Sequence, residues 1–503
     1  MTKISDKLRM ARQYEKEKAM EIPEENRPVY HLTPLAGWMN DPNGFSYYNG
    51  KYHLFYQYYP YDVSWGPMHW GHAVSEDLVH WEHLPAALAP DRTYDEEGCW
   101  SGSAVELPDG RHLIIYTGRE PFLNDGKQEI RQVQCLALGD GVDYEKWETN
   151  PVIRSADLPE GASIYDFRDP KIWKDEETGI YHIVVGSRAA DGHGQVLLYD
   201  SADGFSWEYK GILDASHGEI GSMWECPDFF ELNGEAFILL SPQAMKQEGE
   251  FLNYHGNAYI KGKYDKESRT FTRSEVHAMD FGYDYYAETS MKAPDGRRIV
   301  IAWMQAWENA INQNEYLSKE CPLGWAGMMS VPRELSVRDG YLIQNPVKEI
   351  ETRRRRPVRC QNIPVSGRIR QAGINGRCLD MTVEVKPGWD SDYELFEIRL
   401  AEGEIGGQYY AVILRYDRKE GEITLDRSVS GYPDDQMGVR HVKIGSDPVI
   451  KFRILLDRFS AEIFINDGRY SLSSVVLTPQ EANGVSFISL GDAVINVEKY
   501  EIV

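Results

Sequence analysis

Three acidic side chains, Asp41, Asp169 and Glu225, stand at similar points of this sequence. Their surroundings read Trp38-Met-Asn-Asp-Pro-Asn-Gly44, Asp166-Phe-Arg-Asp-Pro170 and Trp224-Glu-Cys-Pro-Asp228. Each acid is followed by proline or by a Cys-Pro pair, and proline restricts the backbone before it, so we expect carboxylates held in fixed directions. One such acid alone is more typical of a turn. Three of them in a similar setting favour a shared site.

The chemistry that suits such acids is the cleavage of a glycosidic bond. This reaction needs two carboxyl groups in opposite protonation states, and retaining enzymes place them about 5 Å apart. Like charges at that distance raise one pKa, and apolar neighbours raise it further. Glu225, between Trp224 and Cys226, has the surroundings expected of the acid.

A repeated pattern predicts how the chain positions these acids. From Arg27 onward, short aromatic and β-branched runs alternate with Gly, Asp, Asn and Pro, which indicates strands joined by tight turns. One unit begins near residues 41, 102, 169, 226 and 288, at separations of 61, 67, 57 and 62 residues. A second pattern follows three of these starts, in Ser75–Trp81, Gly141–Trp147 and Ser201–Trp207.

Five units of about four strands each predict a five-bladed β-propeller. An open sandwich with accidental repetition is the alternative. In a propeller the innermost strand of every blade faces the central axis. The three acids, from three different blades, are therefore expected to meet in one funnel.

The segments before and after the predicted propeller differ from it in composition. A charged helix is predicted between about residues 5 and 25, ending near Pro23, and alternating apolar runs after about residue 362 predict a β-sandwich. The run Arg353–Arg356 favours a solvated linker or an interdomain contact over a nucleic-acid patch. The expected fold is all-β, with a helical lead-in (1–27), a propeller (28–347), a linker (348–361) and a sandwich (362–503).

Composition excludes several classes of function. The 503 residues carry a formal charge of −25, which argues against nucleic acid and against an anionic membrane as partners. No apolar run is long enough to span a bilayer, and the first twelve residues lack an apolar signal core, so we expect a soluble, cytoplasmic protein. The six cysteines show no metal-binding spacing and are expected as reduced thiols.

The three motifs resemble the signature motifs of the β-fructofuranosidase family, glycoside hydrolase family 32, which includes invertases, sucrose-6-phosphate hydrolases and exo-fructanases. Trp100-Ser-Gly-Ser103 and Gly324-Trp-Ala-Gly-Met-Met-Ser-Val-Pro-Arg-Glu-Leu335 are also similar to family segments. The resemblance covers nearly the whole chain, since the family pairs a five-bladed propeller with a β-sandwich. The segment Leu456–Phe464 departs from it at Phe459, where a small polar residue is commoner.

The resemblance implies a role for each acid. Asp41 would be the nucleophile, Glu225 the general acid and base, and Asp169 a stabiliser that hydrogen-bonds fructosyl hydroxyls. It also implies a fructose pocket lined by Trp38, Met39, Asn40, Gln57, Trp65, Trp100, Ser101 and Arg168. Blade packing is the alternative for Trp65 and Trp100. No metal or organic cofactor is implied, because carboxylates handle the protons.

The expected activity is retaining hydrolysis of terminal β-fructofuranosides, with sucrose or sucrose 6-phosphate as the small-molecule substrate. An exo-fructanase acting on short inulin- or levan-type oligomers and a non-catalytic carbohydrate-binding propeller are the alternatives. A phosphorylated substrate needs a nearby cation. His69, His72, Arg119 and Arg188 are candidates that the sequence does not rank, and it leaves the oligomeric state open.

Overall fold

The computed structural model describes residues 4–308, 323–389, 391–431 and 438–503. Helix α1 (Asp6–Ala19) begins at Ser5, whose Oγ caps it by accepting a hydrogen bond from the Leu8 amide. Leu8 is buried, and the buried Glu15 carboxylate accepts a hydrogen bond from the Ala86 amide in the first blade. The helix therefore packs on the propeller. No helix in the described residues is long and apolar enough to cross a membrane.

Five antiparallel blades follow, and their strands lie where the repeated pattern predicts them. Blade 1 holds β1 (Gly37–Tyr48), β2 (Lys51–Tyr59), β3 (His69–Ser75) and β4 (Trp81–Leu88). Blade 2 holds β5 (Cys99–Glu106), β6 (His112–Asn124), β7 (Lys127–Gly139) and β8 (Tyr144–Lys146). Blade 3 holds β9 (Phe167–Lys174), β10 (Tyr181–Arg188), β11 (Gly194–Ser201) and β12 (Glu208–Ala215).

Blade 4 holds β13 (Met223–Leu232), β14 (Glu235–Gln243), β15 (Ala258–Asp265) and β16 (Thr270–Ala278). The last segment contains β17 (Tyr286–Lys292), β18 (Arg298–Trp303), β19 (Trp325–Ala326), β20 (Arg333–Arg338) and β21 (Tyr341–Pro346). Strands β17, β18, β20 and β21 form blade 5, whereas β19 pairs with β1. Hydrogen bonds between the last and first blades thus close the ring. Short 3₁₀ helices span Glu24–Asn26, Ser155–Asp157 and Lys348–Arg353.

The propeller core lies between the blades, because successive side chains of a strand point to opposite faces. In β10, Ile183 and Val185 pack toward blade 2, while Val184 packs toward blade 4. In β14, Ile238 packs toward blade 3 and Phe237 toward blade 5. Both faces of these strands are buried, which explains why their sequences are continuous apolar runs rather than alternating ones.

The C-terminal region forms one ten-stranded sheet folded into two layers. Its strands are β22 (Arg354–Ile369), β23 (Leu379–Pro387), β24 (Tyr393–Ile405), β25 (Gln408–Asp417), β26 (Glu422–Asp426), β27 (Arg440–Lys443), β28 (Ile450–Leu456), β29 (Ser460–Ile465), β30 (Tyr470–Val475) and β31 (Gly484–Ile502). The first part of β31 pairs with β24 and its second part with β23, so this long strand runs through both layers. One shared apolar core joins Ile398 and Leu414 of one layer with Val383 and Phe452 of the other.

The predicted fold class is therefore confirmed: a five-bladed propeller, a sandwich-like C-terminal sheet and little helix. The segment expected as a linker (348–361) is itself ordered, as a 3₁₀ helix followed by the start of β22. Within the arginine run, Arg353 donates to the Val79 and Val29 carbonyls of the propeller and Arg354 to the Asp380 carboxylate. This run makes contacts within the chain, as the interdomain alternative anticipated.

Candidate active site

The innermost strand of every blade is irregular at a similar position. Pairing shifts occur between Met39 and Pro42, Trp100 and Gly102, Arg168 and Lys171, Glu225 and Asp228, and Tyr286 and Thr289. Positive φ angles of 65° at Asp169, 49° at Cys226 and 55° at Ala287 accompany three of these shifts. A β-bulge redirects side chains, and non-glycine residues with positive φ mark strained positions. These five bulges point residues of the inner strands toward the propeller axis.

Asp41 lies in the bulge of β1 and is held at both carboxylate oxygens. Ser101 Oγ donates to Oδ2 at 2.6 Å, and Asn40 Nδ2 donates to Oδ1 at 3.0 Å. Trp38 Nε1 in turn donates to Asn40 Oδ1 at 2.7 Å, so the amide cannot rotate freely. Burial raises the pKa of Asp41, the Glu225 charge adds to this, and the Ser101 and Asn40 hydrogen bonds oppose it. The result is an oriented carboxylate.

Glu225 is also fixed at both oxygens, with its side chain 15% exposed. Arg168 Nε donates to Oε1 at 2.9 Å, and the Tyr286 hydroxyl donates to Oε2 at 2.5 Å. Arg168 is itself held by hydrogen bonds to the Gln132 side chain at 3.1 Å and to Asp166 at 3.2 Å. These hydrogen bonds fix the orientation of the Glu225 carboxyl group.

Asp169 is the most deeply buried of the three acids. Its Oδ2 accepts a hydrogen bond from the Cys226 amide at 3.0 Å, and its own amide donates to Thr117 Oγ1 at 2.9 Å. Burial and the neighbouring Glu225 charge raise the pKa of Asp169 to about 7, with Arg168 opposing them. Asp169 therefore carries a proton more readily than an ordinary carboxyl group.

Cys226 connects the acids of three blades. Its Sγ lies 3.7 Å from Asp41 Oδ2 and 3.7 Å from Asp169 Oδ2, and its backbone follows Glu225 directly. Burial and the charges of Asp169 and Asp41 raise the pKa of this thiol well above its usual range, so it stays protonated. The structure thus brings Asp41, Asp169 and Glu225 into one site, as their repeated positions predict.

Most of the predicted pocket residues surround this centre. Trp38, Asn40, Ser101 and Arg168 are bonded to the acids or to their partners, as described above. Gln57 Nε2 donates to the Cys99 carbonyl at 3.1 Å and so supports the start of β5. Trp100 lies beneath Arg168, 5.7 Å from its guanidinium, and 6.3 Å from Trp65, which is 42% exposed at the rim.

The Met39 side chain does not join the cluster. It is fully buried in the core between blades 5 and 1, with Leu54 and Ile301. Only its place in the bulge of β1 connects Met39 with the site. Because β-strand side chains alternate, the neighbour of a residue that faces the axis packs between blades.

Sequence reasoning missed four residues that hold the acids: Thr117, Gln132, Cys226 and Tyr286. Two of them could have been found from the sequence by their position in the repeat. Cys226 directly follows Glu225, and Tyr286 precedes the start of the fifth unit by two residues. Thr117 and Gln132 lie on the second and third strands of blade 2, and no local pattern marks them.

The described part of the chain contains no group of three or more His, Cys, Asp or Glu side chains arranged to hold a metal ion. The chemistry available is that of three clustered carboxyl groups, two of which, Asp41 and Asp169, have a raised pKa. This arrangement suits nucleophilic and acid–base catalysis on a glycoside.

Comparison with known proteins agrees with this geometry. Residues 31–346 match the model of the glycosyl hydrolases family 32 N-terminal domain, and residues 349–503 match that of the family 32 C-terminal domain. The raffinose invertase of Escherichia coli is 38% identical over 479 residues, which are 93% of each chain. A sucrose-6-phosphate hydrolase of Zymomonas mobilis is 38% identical over 90% of this chain and 88% of its own.

The solved structures include a mutant family 32 β-fructofuranosidase of Bombyx mori in complex with sucrose. It superposes with a TM-score of 0.82 at 34% identity and covers 98% of this chain and 97% of its own. Both halves of the sequence and the whole fold therefore agree on one assignment. The chain belongs to glycosyl hydrolase family 32 and is a β-fructofuranosidase-type glycoside hydrolase.

Proposed function

We propose that this enzyme hydrolyses sucrose or sucrose 6-phosphate by a double displacement in which Asp41 is the nucleophile. The observation that carries the proposal is the meeting of Asp41 and Asp169 at the Cys226 sulfur, directly beside Glu225. A furanose ring placed over this sulfur contacts all three acids. Two chemically distinct carboxyl groups and one binding group are what retaining hydrolysis needs.

In the first step an Asp41 oxygen attacks the anomeric carbon of the fructosyl unit. The bond to the bridging oxygen breaks, and Glu225 transfers its proton to that oxygen, which leaves on the glucosyl unit. The Ser101 and Asn40 hydrogen bonds aim Asp41 for the attack. The product is a fructosyl ester of Asp41 and an ionised Glu225.

In the second step Glu225, now a base, takes a proton from water, and the hydroxide attacks the same carbon. The ester bond breaks, fructose leaves with its configuration retained, and both carboxyl groups regain their starting states. Arg168 and Tyr286 hold the Glu225 carboxyl group in place at its two oxygens. We assign Asp169 to hydrogen bonds with fructosyl hydroxyls, since its elevated pKa lets it donate as well as accept.

The substrate choice is supported by relatives named raffinose invertase and sucrose-6-phosphate hydrolase, each 38% identical to this chain. An exo-fructanase activity is less favoured. The presence of all three acids in one site speaks against a non-catalytic binding propeller. A cytoplasmic location is supported by the free thiols of the described cysteines 99, 135, 226, 360 and 378.

The experiment measures sucrose hydrolysis by Asp41→Ala and Glu225→Gln. Each change should lower kcat by at least about a thousandfold, because it removes the nucleophile or the proton donor. Circular dichroism and thermal melting should show an intact fold. Glu267→Gln, an exposed blade-4 turn residue, is the matched control.

Activity of Glu225→Gln should partly recover on aryl fructosides with acidic leaving groups, whose departure needs less protonation. Near-normal turnover of sucrose by either site variant would refute the mechanism. An absence of recovery would assign the acid role to another residue.

A further inference from the structure

Arg119, on β6, lies at the rim of the candidate active site against two tryptophans. Its guanidinium carbon lies 4.6 Å from the Trp100 ring centroid and 5.9 Å from that of Trp65. The two indoles meet edge to face at 71°. This packing fixes the guanidinium in one position while part of the side chain remains exposed.

The Arg119 guanidinium lacks a carboxylate partner among the described residues. Its Nη1 donates to the Glu97 carbonyl at 3.2 Å, and its Nε finds no acceptor in the described part of the chain. Its neighbours differ in this respect: Arg168 pairs with Glu225, and Arg188 pairs with Asp166. In a chain with a net charge of −25, a partly buried arginine without a carboxylate partner is available to an anionic ligand.

The other candidate cations are eliminated by their environments. His72 is fully buried and stacked on Phe55 at 4.0 Å, and burial holds its pKa well below the usual value. Burial lowers the pKa of His69 to about 4, so this ring is neutral near pH 7. Arg188 is already neutralised by Asp166 at 2.5 Å. Among the described residues, Arg119 is the one of the four that is charged and forms no salt bridge, although the Glu97 charge also acts on it.

Arg119 lies near the proposed acid, because the Trp100 indole contacts both Arg119 and Arg168, and Arg168 donates to Glu225. Trp100 precedes Ser101, which bonds the nucleophile, and the same indole contacts Arg168 at 5.7 Å. The Trp100 indole thus connects Arg119 with Arg168, which bonds one of the acids. Arg119 also lies beside the exposed rim residue Trp65. Because a general acid lies beside the leaving group, we expect the glucosyl unit on the side of the site that Arg119 and Trp65 border.

We propose that Arg119, framed by Trp65 and Trp100, binds the phosphate on the glucosyl unit of sucrose 6-phosphate and so makes the enzyme selective for the phosphorylated disaccharide. This inference rests on the hydrolase function proposed above. A guanidinium presents parallel N–H groups that match two phosphate oxygens, and such charge-assisted pairs are stronger than neutral ones. Sucrose itself offers only neutral hydroxyls at this position.

The test compares kcat/KM for sucrose 6-phosphate with kcat/KM for sucrose in the full-length enzyme. The wild type should prefer the phosphorylated substrate by at least about tenfold. Arg119→Gln should reduce that preference by about tenfold to a hundredfold, the range for losing a hydrogen bond to a charged group. The loss should fall mainly on KM, and Arg119→Lys should retain an intermediate preference.

Arg188→Gln is the matched control, because its guanidinium is already paired. This change should leave the ratio of the two kcat/KM values unaltered. Glucose 6-phosphate should inhibit the wild type more strongly than glucose, and the difference should disappear in Arg119→Gln.

A wild-type enzyme that cleaves sucrose without preferring its phosphate would overturn the phosphate assignment and leave the hydrolase function standing. Equal losses on both substrates in Arg119→Gln would likewise overturn it, since they would mean that Arg119 binds neutral hydroxyls. An enzyme inactive on both substrates would refute the proposed function itself.

Discussion

Replacing Asp169 by asparagine removes an ionisable group that the folded protein buries beside two other acids. The side chain keeps its size, and its oxygen can still accept the hydrogen bond from the Cys226 amide. Burial and the Glu225 charge raise the pKa of Asp169 to about 7, whereas an unfolded chain leaves it near the usual value of about 4. The folded state therefore binds a proton that the unfolded state releases.

The direction of the pH dependence of stability follows from this difference between the folded and unfolded pKa of Asp169. Wild-type stability should fall as pH rises from about 4 to about 7, because ionising Asp169 is easier in the unfolded chain. With about 1.4 kcal/mol for each pH unit, the penalty amounts to about 1 kcal/mol at pH 5 and about 4 kcal/mol at pH 8. Asp169→Asn has no such penalty and should be more stable than the wild type by these amounts.

Thermal unfolding at pH 5 and pH 8 measures the effect. An unfolding entropy of about 2 cal/mol/K per residue converts 4 kcal/mol into a rise of about 4 °C in Tm for a chain of this size, and the rise should be smaller at pH 5. Sucrose hydrolysis should fall at least about a hundredfold in the same variant, since an amide cannot ionise and so cannot offer fructosyl hydroxyls a charged acceptor. A gain in stability with a loss of activity is typical of active-site acids.

Asp457→Asn replaces another buried acid and should change the stability of the protein in the opposite direction. Although burial opposes it, the hydrogen bond and charge of His31 lower the pKa of Asp457 to about 2. Its stabilising contribution is present above about pH 4 and is lost only as pH falls through about 2, so Asp457→Asn should be destabilised at both pH 5 and pH 8. If Asp169→Asn melts no higher than the wild type at pH 8, or gains equally at both pH values, the electrostatic reasoning is refuted.

Two further predictions concern other buried groups. Arg333→Met should lower the free energy of unfolding by about 3–5 kcal/mol, as measured by urea titration. The reason is that the fully buried Arg333 bridges Asp280 of the propeller and Glu462 of the C-terminal sheet. A loss below about 1 kcal/mol would contradict this role. Cys226 should resist iodoacetamide at pH 8 in the native enzyme, because its thiol stays protonated, and it should react in urea. Rapid labelling of the native enzyme, detected by mass spectrometry, would contradict the protonated state of this thiol.

The local sequence determined much of the fold and the identity of the acids. In the sequence, the strands of each blade appear as apolar runs between turn residues, and these runs recur with a period near sixty residues. Asp41, Asp169 and Glu225 could be recognised because the same setting recurs in three repeats. A repeat makes equivalent positions visible without coordinates, since every blade must bury the same faces.

Only the tertiary structure decided how these acids are held. The partners of Glu225 come from blades 3 and 5, and Asp169 is supported by Thr117 of blade 2, at separations that no local pattern encodes. The bulges that orient the acids depend on hydrogen bonding to the neighbouring strand. Among the described residues, what packs around Arg119 decides that it bonds a backbone carbonyl rather than a carboxylate. Periodicity shows which way a side chain faces, whereas its partners and its pKa arise from contacts between segments distant in the chain.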